Sequence, residues 1–154
     1  MSRRQKINIL LAGPLSAFLV LGLLYFALAS QLPKGVVRQV GAHGVGYAPP
    51  GIVVGVMAAV ALTCFGVGAW TCLDFTALGH WFAGTKSIVV CLLGAGYAVI
   101  ALAVTTLFAS LGPATTLDAH SLGYGLLALV VAFAAAASVL VGVLPRAKDE
   151  PLGT

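Results

Sequence analysis

Four long apolar blocks constrain the fold of this chain more than any other feature. They cover residues 7–30, 51–73, 87–111 and 121–144, and each is longer than twenty residues. At a rise of about 1.5 Å per residue, helices of that length cross a hydrocarbon core of about 30 Å. The blocks lack the alternation of barrel strands, and only helices satisfy their own backbone groups in lipid. We therefore predict an all-α integral membrane protein with a four-helix bundle.

The composition excludes an ordinary soluble domain. Of 154 residues, 60% are hydrophobic and 8% are charged, whereas about a quarter of the residues in soluble domains are charged. The length allows one transmembrane domain over residues 1–154, with a short cytoplasmic tail at 145–154. The eight basic residues are dispersed near the ends of the blocks, which is not the clustered pattern of a nucleic-acid-binding face.

The distribution of lysine and arginine predicts the orientation. Six of the eight fall on one side of the four predicted spans: Arg3, Arg4, Lys6, Lys86, Arg146 and Lys148. Lys34 and Arg38 fall on the other side. The positive-inside rule then places both termini in the cytoplasm and the loop at 31–50 outside. We expect a multi-pass membrane protein.

The first block has an alternative interpretation as a secretory signal peptide. A basic start, an apolar run and Ala27-Leu28-Ala29 match the order of signal-peptide features. However, the apolar region of a signal peptide usually has about 7–15 residues. Because this block is longer than twenty residues, we predict an uncleaved span.

Small residues predict how the spans associate. Gly51, Gly55 and Ala59 recur every four residues in the second span, and Gly94 and Gly96 lie in the third. Helices in lipid gain little by burying leucine, so close packing of small residues holds them together. We expect these positions to pack within the bundle rather than to form a dimer motif.

The spans offer little chemistry. They contain no Lys, Arg, Asp, Glu or His away from their ends, although such residues inside a membrane usually mark proton and ion pathways. The three cysteines form no CxxC motif and are expected to be small packing residues. Asp118 and His120 form a weak polar pair before the last span, but a metal site there would need a third ligand. We expect no catalytic residue, cofactor or metal.

The polar loop between the first two spans is the candidate partner-binding segment. Leu32-Pro33 ends the first helix, because the residue before proline avoids helical geometry, and Pro49-Pro50 suits the start of the second. The glycines between them permit tight turns. The candidate residues of this loop are Leu32, Pro33, Arg38, Gln39, Gly41, His43, Gly44 and Tyr47.

This loop resembles a module of unknown function in bacterial multi-span proteins, including SdpI-like bacteriocin immunity proteins. In that module, a first helix leads to Leu-Pro, then to a histidine, a glycine and a second helix. Leu32-Pro33 and the turn glycines Gly41 and Gly44 match, whereas Gln39 stands at the usual histidine position. The resemblance covers about residues 8–73, and SdpI-like proteins have more spans. It implies an immunity or sensing role toward a toxin or a sensor component, and a location in a bacterial inner membrane.

Three functional hypotheses follow. The first is a small non-enzymatic membrane protein that engages a partner, either as an accessory subunit or in an SdpI-like role. The second is an oligomeric carrier or channel for a small neutral solute, lined by Thr63, Tyr97, Thr105 and Thr106. The third, ranked last, is a membrane enzyme that uses Asp118 and His120.

Overall fold

The described part of the chain forms four long helices and one small β-hairpin. The computed structural model describes residues 3–41, 44–111 and 119–148. In chain order the elements are α1 (Arg3–Leu28), β1 (Val36–Gly41), β2 (Gly44–Ala48), α2 (Pro50–Ala77), α3 (Ala83–Ala109) and α4 (Ala119–Val143). All four helices are long and apolar enough to cross a membrane. The prediction of four helices that are long and apolar enough to span a membrane is confirmed, and the hairpin in the first loop is an addition to it.

Helix α3 is the centre of the molecule. It packs against α1, α2 and α4, and its fully buried side chains include Val89, Leu93 and Leu107. Helix α4 rests on α3 and leaves most of its other apolar side chains exposed. Such exposure is compatible with lipid, which solvates apolar side chains. The bundle is therefore three helices arranged around a central one.

Contacts between neighbouring helices fix their directions. Gly68 and Phe65 of α2 meet Leu93 and Gly96 of α3, in that order, so these two helices are antiparallel. Helices α3 and α4 are antiparallel as well, since Gly94 meets Phe133 and Leu102 meets Gly125. The start of α1, the turn between α2 and α3 and the residues after α4 then share one end, which we call the basic end. The hairpin lies at the opposite end.

Helix α2 runs one turn beyond its predicted end at Leu73. The amide of Leu78 donates to the Asp74 carbonyl at 2.9 Å, and the amide of His80 donates to the Phe75 carbonyl at 3.0 Å. Gly79 has φ +76°, a left-handed conformation that only glycine adopts readily. This is a Schellman ending, so Gly79 terminates the helix and leaves a short turn before α3.

Prolines act at both ends of the hairpin loop. Pro49 is the N-cap of α2 and Pro50 is its first residue, as the sequence predicts. The helical hydrogen bonding of α1 continues to the Leu32 amide, which donates to the Leu28 carbonyl at 3.1 Å immediately before Pro33. Pro14 lies inside α1, which continues through it to Leu28.

Candidate functional site

Three residues of α3 contact the three other helices at nearly one level, and we call them the α3 hub: Gly94, Gly96 and Tyr97. An added Cβ at Gly96 would lie 2.7 Å from the Phe65 ring of α2, and one at Gly94 would lie 3.1 Å from the Phe133 ring of α4. Because glycine has no side chain, each of these two positions leaves room for an aromatic ring of the neighbouring helix. The structure brings both glycines into helix packing, where the sequence predicted them.

Tyr97 completes the hub toward α1. Its ring meets the Phe65 ring edge-on, with centroids 4.8 Å apart. Its hydroxyl oxygen lies against Gly13 of α1, at a place where no Cβ would fit. Gly13 precedes Pro14, and its carbonyl accepts a hydrogen bond of 2.7 Å from the Ser16 hydroxyl. The close approach of α1 to α3 thus depends on a glycine that the sequence analysis did not select.

The small residues of α2 differ from the prediction. Gly51 lies beside Tyr25 of α1, but Gly55 and Ala59 are exposed, and no heavy atom lies within 4 Å of a Cβ added at Gly55. Thr63 and Gly66 are exposed on the same side. These positions do not pack against other described residues of the chain, because α2 turns its Phe65 and Cys72 face toward α3 instead.

We call these four open positions the α2 row: Gly55, Ala59, Thr63 and Gly66. At about 100° per residue they fall within about 80° of the helix circumference, on the side opposite the buried face. Larger exposed side chains border the row, including Leu62 and Val56. The Thr63 hydroxyl donates to the Ala59 carbonyl at 2.9 Å, so the row presents no unsatisfied hydroxyl. The result is a shallow apolar groove along the open side of α2.

The predicted external loop is a two-stranded antiparallel hairpin. Val37 pairs with Tyr47, Gln39 with Gly46, and Gly41 with Gly44. The register shifts between Val37 and Gln39, so Arg38 is a bulge residue without a partner across the ladder. His43 lies outside the described residues. Strand β1 also contacts α2, which places the hairpin next to the start of that helix.

The remaining loop candidates lie beside the hairpin and in the second loop. Leu32 packs against the hydrophobic core, while Pro33 is exposed. Asp118 lies outside the described residues, and His120 lies in the first turn of α4. Within the described ranges, no group of three or more His, Cys, Asp or Glu residues could hold a metal ion.

The residues of the carrier hypothesis are not brought together. Thr63 is exposed on α2, whereas Tyr97 of the hub faces Gly13. Thr105 and Thr106 donate back to carbonyls of their own helix, the nearest at 2.9 and 2.8 Å. They lie about 12 Å along α3 from Tyr97. In one copy of the chain these four residues do not line a common path.

The basic end carries a set of contacts that the sequence did not predict, and we call it the tail junction: Gly79, Trp81 and Lys86 with residues 141–148. The Trp81 indole donates to the Pro145 carbonyl at 3.0 Å, and the Lys148 amide donates to the Trp81 carbonyl at 2.8 Å. The Lys86 ammonium donates to the Val141 carbonyl at 2.9 Å. A cation at the last carbonyls of a helix also complements its dipole.

No family model matches the sequence, and neither the curated proteins nor the solved structures include one with significant similarity to it. Function is accordingly inferred from the residues and their geometry.

Proposed function

We propose that this chain is a non-enzymatic protein of a bacterial inner membrane that acts by binding another membrane protein. It crosses the bilayer four times, with both termini in the cytoplasm and the hairpin outside. Its role is that of an accessory subunit, or an SdpI-like role in immunity or sensing, which the resemblance of the hairpin loop supports. The binding surface consists of the open side of α2 and the adjacent hairpin.

The observation that carries the proposal is the exposure of the α2 row. In lipid, small residues four apart allow another helix to approach closely, and the contact area gained in this way drives association. The intramolecular contacts use other glycines, including Gly68, Gly94 and Gly96, each of which already faces a side chain. Gly55 has no such neighbour. A groove of this kind accommodates the ridge of a partner helix better than it accommodates acyl chains.

The hairpin extends the same surface beyond the membrane. Helix α2 begins two residues after β2 ends, and β1 contacts α2. The row therefore starts just below the hairpin. A partner helix seated on the row would carry its own external segment next to the hairpin, so the two regions act as one surface.

The central position of α3 favours partner binding over solute transport. Helix α3 occupies the middle of the bundle, and among the described residues no polar or charged residue is buried. A path for a polar solute would need polar groups along its wall. The wide apolar faces of α1, α2 and α4 point outward instead.

The test is tagged purification in mild detergent at native abundance, with the copurifying membrane proteins quantified by mass spectrometry. The row variant carries Gly55→Leu and Ala59→Leu. The matched control carries Gly123→Leu and Ala134→Leu, two small exposed positions on α4. Leucine side chains fill the groove of the row variant. We therefore expect the amount of copurifying partner to fall at least tenfold for the row variant and to stay stoichiometric for the control. A solitary wild-type chain, or a row variant that keeps its partner, would contradict the proposal.

A further inference from the structure

The basic end concentrates the positive charge of the chain. Six of the eight lysines and arginines lie in the described residues of this end, with one described acidic residue, Asp74. The described part of this end therefore carries a clear excess of cations.

Two of the cations are held in place by the tail junction. The Lys86 ammonium donates to the Val141 carbonyl, and the Lys148 ammonium donates to the Gly79 carbonyl at 3.2 Å. An ammonium group has three N–H donors, so each lysine keeps two for another acceptor. Within the described ranges, neither lysine forms an ion pair, nor does the exposed Arg146. Because the two lysines are already ordered, binding an anion costs less side-chain entropy.

The position of these groups selects the kind of anion. Lys86 lies in the first turn of α3, and Arg146 and Lys148 follow the end of α4, so all three lie where the apolar helices leave the hydrocarbon. The anions at that depth are the phosphates of lipid headgroups, and basic residues next to a span attract them. Trp81 is 4% exposed, and its hydrogen bonds with Pro145 and Lys148 fix the tail beside the turn that precedes α3.

We propose that Lys86, Arg146 and Lys148 bind the headgroup of an anionic phospholipid. The ammonium and guanidinium groups donate to the phosphate oxygens. One N–H of each lysine remains bonded to its carbonyl, Lys86 to that of Val141 and Lys148 to that of Gly79. This site needs neither the proposed partner nor a particular leaflet, since it is defined by one end of the bundle.

The experiment is native mass spectrometry of the purified full chain, titrated with phosphatidylglycerol or with phosphatidylcholine of the same acyl chains. The triple variant carries Lys86→Gln, Arg146→Gln and Lys148→Gln, in which glutamine can still donate to the carbonyls. Each charge removed should weaken phosphatidylglycerol binding by about fivefold, while phosphatidylcholine binding stays unchanged. Lys34→Gln, an exposed position at the hairpin end, is the matched control and should retain the preference.

A single variant separates loss of charge from loss of structure. Arg146 makes no hydrogen bond through its side chain in the described part of the chain, so Arg146→Gln leaves the tail junction intact and should alone show the loss of about fivefold. The proposal is wrong if the triple variant still prefers phosphatidylglycerol over phosphatidylcholine. It is equally wrong if Lys34→Gln weakens phosphatidylglycerol binding as much as Arg146→Gln does. It is also wrong if inorganic phosphate displaces the lipid better than chloride does at equal ionic strength, since the site would then bind free phosphate.

Discussion

At the scale of single residues, identical glycines have opposite roles in this bundle. Gly96 lies under the Phe65 ring and Gly68 under the Leu93 side chain, whereas Gly55 and Gly66 have nothing within 4 Å of an added Cβ. An alanine at Gly96 or Gly68 must displace the neighbouring side chain, which typically costs about 1–3 kcal/mol. An alanine at an open position only gains helix propensity. The spacing of small residues alone does not distinguish these two cases.

The contact of Gly13 with Tyr97 yields a prediction about a pair of substitutions. Gly13→Ala would press a methyl group against the Tyr97 hydroxyl oxygen, but the ring carbon Cζ is 3.5 Å away, an ordinary contact. We expect Gly13→Ala to destabilise the protein by about 1–3 kcal/mol. Adding Tyr97→Phe should restore most of that loss, because it removes only the obstructing oxygen.

The measurement is a double-mutant cycle from thermal unfolding in detergent. Tyr97→Phe alone should have little effect, since the hydroxyl makes no hydrogen bond in the described part of the chain. Gly22→Ala is the matched control in α1, because nothing lies within 4 Å of its added Cβ. Purely additive effects of the two substitutions would show that the two residues do not meet.

At the scale of elements, the tail junction ties the end of α4 to the turn that precedes α3. Its hydrogen bonds join residues 64 and 69 positions apart in the chain. No local pattern around Trp81 or Lys86 signals such partners, and aromatic and basic residues are common at membrane interfaces for other reasons. The sequence therefore predicts that Lys86, Arg146 and Lys148 lie on one side of the spans, but it does not predict the contacts that join this end.

Trp81→Phe tests the tail junction. The substitution keeps an aromatic ring but removes the indole donor to the Pro145 carbonyl, which should weaken tail docking by about 1 kcal/mol. The open state would then be about fivefold more populated, and trypsin should cleave after Arg146 faster by a similar factor. Trp70→Phe serves as the control, because Trp70 is 74% exposed on α2. Equal cleavage rates for Trp81→Phe and the wild type would contradict the assigned hydrogen bond.

At the scale of the whole molecule, the lengths of the spans could be predicted but their arrangement could not. Pro49-Pro50 marks the start of α2 through local backbone constraints, so that boundary follows from the sequence. Helix α1, in contrast, ends at Leu28, four residues before the Leu32-Pro33 pair that the sequence predicts as its end. All four spans are similarly apolar, and apolarity in lipid does not say which helix lies in the middle. The central place of α3 depends on aromatic rings that other helices supply to Gly94 and Gly96.

The candidate binding surface, formed by the α2 row and the hairpin, could also be predicted only in part. The row of small residues on α2 is visible in the sequence, but its exposure depends on which face Phe65 and Cys72 turn toward α3. Turn glycines between extended residues permit a hairpin in the first loop, but the sequence predicts a loop there and not paired strands. Its bulge at Arg38 is a shift in pairing register, which the strand residues alone do not specify.

Orientation in the bilayer is tested most directly by labelling single cysteines with a membrane-impermeant maleimide in intact cells. The background variant has Cys64, Cys72 and Cys91 replaced by alanine, and the probes are Ser2→Cys, Gln31→Cys and His80→Cys. The positive-inside rule predicts that the basic end faces the cytoplasm, so we expect Gln31→Cys to be labelled at once. Ser2→Cys and His80→Cys should react only after the cells are permeabilised. Labelling of Ser2→Cys and His80→Cys in intact cells, or of one without the other, would contradict four crossings with both termini inside.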